Sequence, residues 1–195
     1  QSVGVDRLLT MDLHSDQIQG FFDIPVDHLF AAPVLIEHLK KLKIPNLTIV
    51  SPDAGGVERA RGDGKRLDAS LAIVDKRREQ PNVADVHHVI GDVKGRTALI
   101  VDDIVDTAGT LTKVAEAIRA SGAREVLACC THAVLSGPAH ERIKASKLTK
   151  LITTDSIPIR PGVASDKIEV LSVAELLGRA IQSIHEETSI TTLFV

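Results

Sequence analysis

Tryptophan and tyrosine are missing from this 195-residue chain, and phenylalanine occurs only four times. Proteins that grip single-stranded nucleic acid stack its bases on aromatic faces, so no nucleic-acid partner is expected. Charge of one sign is scarce too. The formal net charge is −3, which gives no general attraction for polyanions. No apolar run comes near the ~20 residues of a membrane-spanning helix, so no membrane partner is expected, and the opening residues lack a secretory-signal pattern. Cysteine is limited to Cys129 and Cys130, adjacent in the apolar run EVLACCT. Neighbours on a strand point to opposite faces, so the pair is read as two small buried hydrophobes and not as a disulfide. A reducing, cytoplasmic setting fits. The first residue is Gln1, and VDRLLTMDLH reads as a strand at once, which predicts that an upstream part has been lost.

What is present suffices for a core: 44% of the residues are hydrophobic and 25% charged. Short β-branched runs at 47–51 (LTIVS), 70–75 (SLAIVD), 97–102 (TALIVD) and 125–131 (EVLACCT) alternate with helical patterns. One helix is predicted at 32–43, with Leu35, Leu39 and Leu42 on one face. A second is predicted at 110–121 and stopped by Gly122. A third, at 172–187, is predicted to open with a capping box of Ser172 and Glu175. Nearly continuous apolar strands between helices indicate an α/β fold, a mostly parallel sheet flanked by helices on both faces. Such sheets bind ligands beyond the carboxyl ends of their strands. Residues 76–85 (KRREQPNVAD) read as a long polar loop of the kind that forms lids.

The most informative string is TALIVDDIVDTAGT, 97–110. A buried strand delivers Asp102 and Asp103, and Asp106, Thr107, Ala108, Gly109 and Thr110 then turn into a helix. Small residues let backbone N–H groups approach an anion at the helix start, where the dipole favours it. The two threonines add hydroxyl donors. Carboxylates accept strongly from vicinal sugar hydroxyls. Phosphate and ribose sites side by side describe a phosphoribosyl group.

This string resembles the motif for 5-phosphoribosyl 1-pyrophosphate (PRPP) shared by type I phosphoribosyltransferases and PRPP synthetases. MDLHSDQIQGFFDIPVDHL (11–29), VSPDAGGVERAR (50–61), VDKRREQPNVAD (74–85), CCTHAVLSGPAHERI (129–143) and IHEETSITTLFV (184–195) are similar to segments of the ribose-phosphate pyrophosphokinase (PRPP synthetase) family, in its phosphate-regulated bacterial and mammalian class. The resemblance implies pyrophosphate transfer from ATP to ribose 5-phosphate. It implies that Asp102, Asp103 and 106–110 hold the sugar phosphate, that Lys76 is catalytic at the ATP site, and that Arg78 serves the transition state and the ribose phosphate. In an extended segment Arg77 points away from both. His14 and Asp53 are implied at the Mg²⁺–ATP site. Asp12, two residues from His14 and so on the same strand face, is a further metal candidate. Mg²⁺ prefers oxygen ligands, which makes a histidine unusual there. His87, His88, His132 and His140 are read as structural or surface residues.

The same resemblance divides the chain. Residues 1–24 would end a truncated N-terminal phosphoribosyltransferase-like domain, 25–185 would form the catalytic C-terminal one, and 186–195, a closing helix and strand, would return to the first. It implies a cytoplasmic homo-oligomer, a hexamer when full length, with phosphate and ADP as regulators. The absent first domain would carry the aromatic and acidic residues of an adenine pocket completed across subunits. The segment ARGDGKRL (60–67) departs from the family by putting Gly62 and Gly64 where it runs a helix, at about 1 kcal/mol each. Two rival readings remain: a type I phosphoribosyltransferase, which would not need the KRR loop, and a non-catalytic PRPP-synthetase-associated regulator, which the presence of Lys76 and Arg78 argues against.

Overall fold

The computed structural model describes residues 1–77, 86–160 and 166–194. Strands β1 (Leu8–Met11) and β2 (Val26–Leu29) form a small parallel pair around a 3-10 turn at Asp16–Phe21. Then follow α1 (Ala32–Leu42), β3 (Leu47–Ser51), α2 (Val57–Arg66), β4 (Ser70–Arg77), β5 (Val86–Ile90), β6 (Thr97–Val105), α3 (Gly109–Ala120), β7 (Glu125–Ala133), α4 (Ala139–Ala145), β8 (Lys150–Thr154), β9 (Ile168–Leu171) and α5 (Ala174–His185). Among the described residues the main sheet has the order β5-β4-β3-β6-β7-β8-β9. It is parallel except for the edge strand β5, which pairs antiparallel with β4. No helix among the described residues is long and apolar enough to cross a membrane.

The layers follow from strand parity. Ala98 and Ile100 of β6 join Val114, Ala115 and Ile118 of α3 and Ile143 of α4 in one core layer. Leu99 and Val101 join Leu35 and Leu39 of α1, Ala60 of α2 and Val173 in the other. Cys130 falls in the first layer and Cys129 in the second, both buried and free, as their adjacency predicts. The predicted α/β sandwich is therefore present, and Leu111, Val114, Ala115 and Ile118 face inward as the helical spacing requires.

Local differences have physical causes. Strands β4, β6 and β7 run two or three residues past their predicted ends, because a central strand continues as long as a neighbour offers ladder partners: Ile104 still pairs with His132, and Lys76 with His87. The backbone of Lys76 thus belongs to β4 and not to a loop; 78–85 lie outside the described residues. Leu42 is 45% exposed, off the buried stripe. The capping box does not form. The N-cap of α5 is Val173, whose N–H donates to Asp155 Oδ1 at 2.9 Å, while Glu175 pairs with Arg179. The closing strand is a 3-10 turn, Ile190–Phe194, whose Ile190 and Leu193 pack onto Leu29, Leu176 and Ala180. Helix α2 runs through Gly62 and Gly64 without a break. A Cβ at Gly64 would lie 3.2 Å from the Ala69 carbonyl and 3.8 Å from Ile49 Cγ1. That glycine lets the helix lie close to β3.

Candidate active site

Strand order reverses between β3 and β6: the chain leaves β3 through α2 toward one edge, and leaves β6 through α3 toward the other. The two connections diverge and leave a crevice at the carboxyl ends of the strands. A cleft of about 820 Å³ opens there, lined by Asp12, His14, Asp53, Arg59, Asp102 and Asp103 among others. These six residues come from three stretches of the chain, the turn after β1, the segment after β3 and the end of β6, which the fold brings together.

Asp102 and Asp103 sit inside β6, not beyond its end. Asp103, with the parity of Leu99 and Val101, faces the α2 side and is only 6% exposed. His14 Nδ1 lies 2.9 Å from its Oδ2 and Arg59 Nη2 lies 3.8 Å away. Burial raises the affinity of Asp103 for a proton. Its contacts with Asp102 and His14 and the field of Arg59 more than offset that, so it titrates below the usual carboxylate range. Asp102 is pushed up to about 7, first by burial and then by its interaction with Asp103. The pair thus splits into a firm anion and a group poised near neutrality, as two close carboxyls do.

The loop 106–110 continues from β6 and borders the cleft without lining it. Ala108 adopts the left-handed conformation (φ 57°) and is the N-cap of α3, with no side chain capping the first turn. The helix starts at Gly109, so Thr110 is not its cap. The uncapped N–H groups of that turn, the dipole and the exposed side chains of Thr107 and Thr110 form an anion-binding geometry. The loop is braced from outside: Ser136 Oγ donates to the Asp106 carboxylate, Ser136 N to the Asp106 carbonyl at 3.1 Å, and Arg142 Nη1 to the Thr107 carbonyl at 3.0 Å.

Of the metal candidates, Asp53 follows β3, accepts from Gly56 N–H at 2.9 Å and shares the cleft with His14 and Asp102. Asp12 lines the same cleft as His14 and Asp53. The strand ends at Met11 and Asp12 turns with φ 41°, so it shares no strand face with His14. Its Oδ2 accepts from Ala31 N at 2.9 Å and from Thr131 Oγ1 at 2.7 Å, while Oδ1 lies 3.9 Å from Arg59 Nη1. His132 Nε2 donates to the Met11 and Asp12 carbonyls, a structural role as its sequence setting suggested. No group of three or more histidine, cysteine, aspartate or glutamate side chains among the described residues is gathered to hold a metal ion. Asp53 and Asp102 still suit Mg²⁺, which takes one or two carboxylates and completes its shell with water and phosphate oxygens.

Arg59, Asp63 and Arg142 went unrecognised in the sequence. Arg59 lies within the GGVERAR segment, but nothing in its spacing shows that it reaches carboxylates from two other strands. Asp63 is 7% exposed in the cleft wall, and burial pushes it up to about 6 against the fields of Arg66 and Arg59. Its sequence signal was the GDG interruption of a helical pattern. Arg78 lies outside the described residues, and of Lys76 the backbone placement alone is described.

The chain is 55% identical over 195 residues to a ribose-phosphate pyrophosphokinase of Nitrosomonas europaea, covering 100% of this chain and 62% of that protein. It is 52% identical over 194 residues to that of Oceanobacillus iheyensis, covering 100% and 61%. The chain therefore spans about three fifths of the length of these curated relatives. The crystal structure of phosphoribosylpyrophosphate synthetase from Mycobacterium smegmatis superposes with a TM-score of 0.88 at 36% identity, over 95% of this chain and 61% of that one. An adenine phosphoribosyltransferase of Giardia lamblia, at 15% identity and TM-score 0.52 over 63% of this chain and 77% of its own, shares the fold alone. Residues 76–195 match the family model described as the phosphoribosyl synthetase-associated domain, and the chain belongs to that family.

Proposed function

We propose that this chain carries the ribose 5-phosphate site and part of the ATP site of a ribose-phosphate diphosphokinase, which moves pyrophosphate from ATP to O1 of the sugar and releases AMP. The observation that carries this reading is the continuity of β6 and α3. An acid pair is followed at once by an uncapped, small-residue helix start, at the one place where the sheet's connections diverge. The loop 106–110 takes the 5-phosphate, and Asp102 and Asp103 accept the ribose hydroxyls. The sugar's O1–H then meets the β-phosphorus of ATP; the new O1–P bond forms as the bond to the AMP oxygen breaks, and the hydroxyl proton leaves to solvent. Such transfer depends on positioning and charge stabilisation. Mg²⁺ bound with the nucleotide would offset the triphosphate charge, and Asp12, His14, Asp53 and Asp102, which line the cleft, would hold it. Lys76, near the end of β4, and Arg78 supply cations to the moving phosphates.

The rest of the proposal follows the relatives' names and the family resemblance: a homo-oligomer, hexameric at full length, with phosphate and ADP as regulators, working in the cytoplasm for nucleotide, histidine and tryptophan synthesis. The division into 1–24, 25–185 and 186–195 is part of the same proposal. Two measurements test the core of it. Calorimetric titration should show ribose 5-phosphate binding to this chain and no binding to Gly109→Val, whose branched side chain blocks backbone approach. With ATP, Mg²⁺ and ribose 5-phosphate, the protein carrying this chain at the full length of its relatives should release AMP. Transfer of a phosphoribosyl group to a base without AMP release would place it among the phosphoribosyltransferases instead.

A further inference from the structure

The sugar site proposed above needs Asp103 aimed at the sugar, and its Oδ2 is met by groups from two other parts of the chain. Of the partners that reach it from other elements, His14 is 78% exposed on its side chain and lies in the turn after β1. The metal–nucleotide corner proposed above also claims it. Arg59 is less exposed, at 33% on its side chain. It projects from the first turns of α2 into the cleft, and its guanidinium has Nη2 at 3.8 Å from Asp103 Oδ2 and Nη1 at 3.9 Å from Asp12 Oδ1. Asp12 does not move: its other oxygen is fixed by Ala31 N–H and the Thr131 hydroxyl, and its carbonyl by His132. One turn along the helix, Asp63 attracts Arg59 from behind.

We propose that Arg59 is a positioning residue for sugar recognition: braced on the fixed Asp12 carboxylate, its guanidinium orients Asp103 to accept a ribose hydroxyl. The inference rests on the reading of Asp102 and Asp103 as the ribose-hydroxyl acceptors. Its chemical logic is that of a fork. A planar guanidinium presents several donors in fixed directions and can address two carboxylates at once, whereas an ammonium is a single point charge. Arg59 does not touch the sugar. It sets the direction of the carboxylate that does. Asp12, which lines the same cleft, is the fixed end of this brace.

The test is discrimination, not affinity alone. Wild-type chain is titrated with ribose 5-phosphate and with 2-deoxyribose 5-phosphate, and a site built to bond a hydroxyl should prefer the former by about tenfold or more. In Arg59→Ala, ribose 5-phosphate should weaken until the two sugars bind within about twofold of each other, while the deoxy sugar, held by the phosphate loop, is unchanged. Arg59→Lys should fall between, since it keeps the charge and loses the fork. A preference kept in Arg59→Ala, or an equal loss for both sugars, overturns the inference. Should Arg59→Ala fail to fold, as judged by its melting curve, Arg59→Lys decides: an undiminished preference there overturns it equally. Wild-type chain without any preference for the ribose sugar refutes the sugar-site reading itself, before Arg59 is considered.

Discussion

Asp63 illustrates how one side chain can oppose the fold it sits in. It is buried in α2, 3.9 Å from Arg66, and it titrates at about 6 instead of 3.8. Between those values the folded protein binds a proton that the unfolded chain releases, so the contribution of this residue to stability is full below about pH 4 and is lost as pH rises to about 6. The decline attributable to this residue is on the order of 3 kcal/mol, from a shift of about two units at 1.36 kcal/mol each. Asp63→Asn should remove that part of the pH dependence. Urea unfolding of both proteins at pH 4, 5, 6 and 7 should therefore give curves that diverge upward in favour of the mutant; parallel curves would mean that Asp63 is solvated. Lys76 is a residue of another kind, expected to act only while charge moves between phosphates. In the full-length protein Lys76→Ala should lower kcat by about 10²-fold with KM for ribose 5-phosphate nearly unchanged, since a group used only in the transition state alters kcat and kcat/KM together. Steady-state AMP production measures both constants. A near-normal kcat would make the residue a bystander.

At the scale of elements, the glycines of α2 separate intrinsic preference from packing. A Cβ at Gly62 meets nothing closer than the flexible end of Arg66 at 3.6 Å, whereas one at Gly64 presses on the Ala69 carbonyl at 3.2 Å. Gly62→Ala should stabilise by about 0.5–1 kcal/mol through helix propensity. Gly64→Ala should gain less or lose, because the backbone at Ala69 must give way. Denaturation midpoints of the two variants test this, and equal gains would contradict the close approach of α2 to β3. The same helix shows where the sequence was readable. Apolar β-branched runs found β3, β4, β6 and β7, because buried strands leave a strong signal, but not the five-residue β8 between β7 and β9. The DD–DTAGT string found the sugar-phosphate loop, because chemistry and turn geometry coincide in consecutive residues. The short edge strands β5 and β9 and the end of β4 were missed, since ladder partners, not local composition, decide where edge strands begin and stop. Ser172 does accept the N–H of Ala174 at 3.2 Å, yet the reciprocal bond from Glu175 is missing, and Asp155, a residue from a different strand end, claims the N–H of Val173. The anchoring of Asp12 was hidden for the same reason: its partners Ala31 and Thr131 are tertiary, and so is the reach of Arg59.

The molecule as a whole is organised around the reversal between β3 and β6. On one side, β6, β7 and β8 are joined in sequence order through α3 and α4, with pairings such as Thr97 with Glu125 that span short stretches of chain. On the other, β3 must find β6 across the whole of α2, β4 and β5, pairing Leu47 with Thr97. Closing that longer excursion costs more chain entropy before any contact forms. The β6–β8 block is therefore the expected early and most persistent unit, with β3 and β4 docking later and detaching first. Native-state amide exchange should find the slowest protons in β6 and β7, and faster, separately opening protons in β3 and β4; uniform protection across the sheet would speak against two units. The line between β3 and β6 is thus a seam, and the candidate site straddles it, with Asp53 and Arg59 on one bank and Asp102, Asp103 and the phosphate loop on the other. A ligand that touches both banks stitches the seam shut, so its binding energy should reappear as slowed exchange in strands it never contacts. Occupancy of the site and cohesion of the sheet become one quantity, readable from either end.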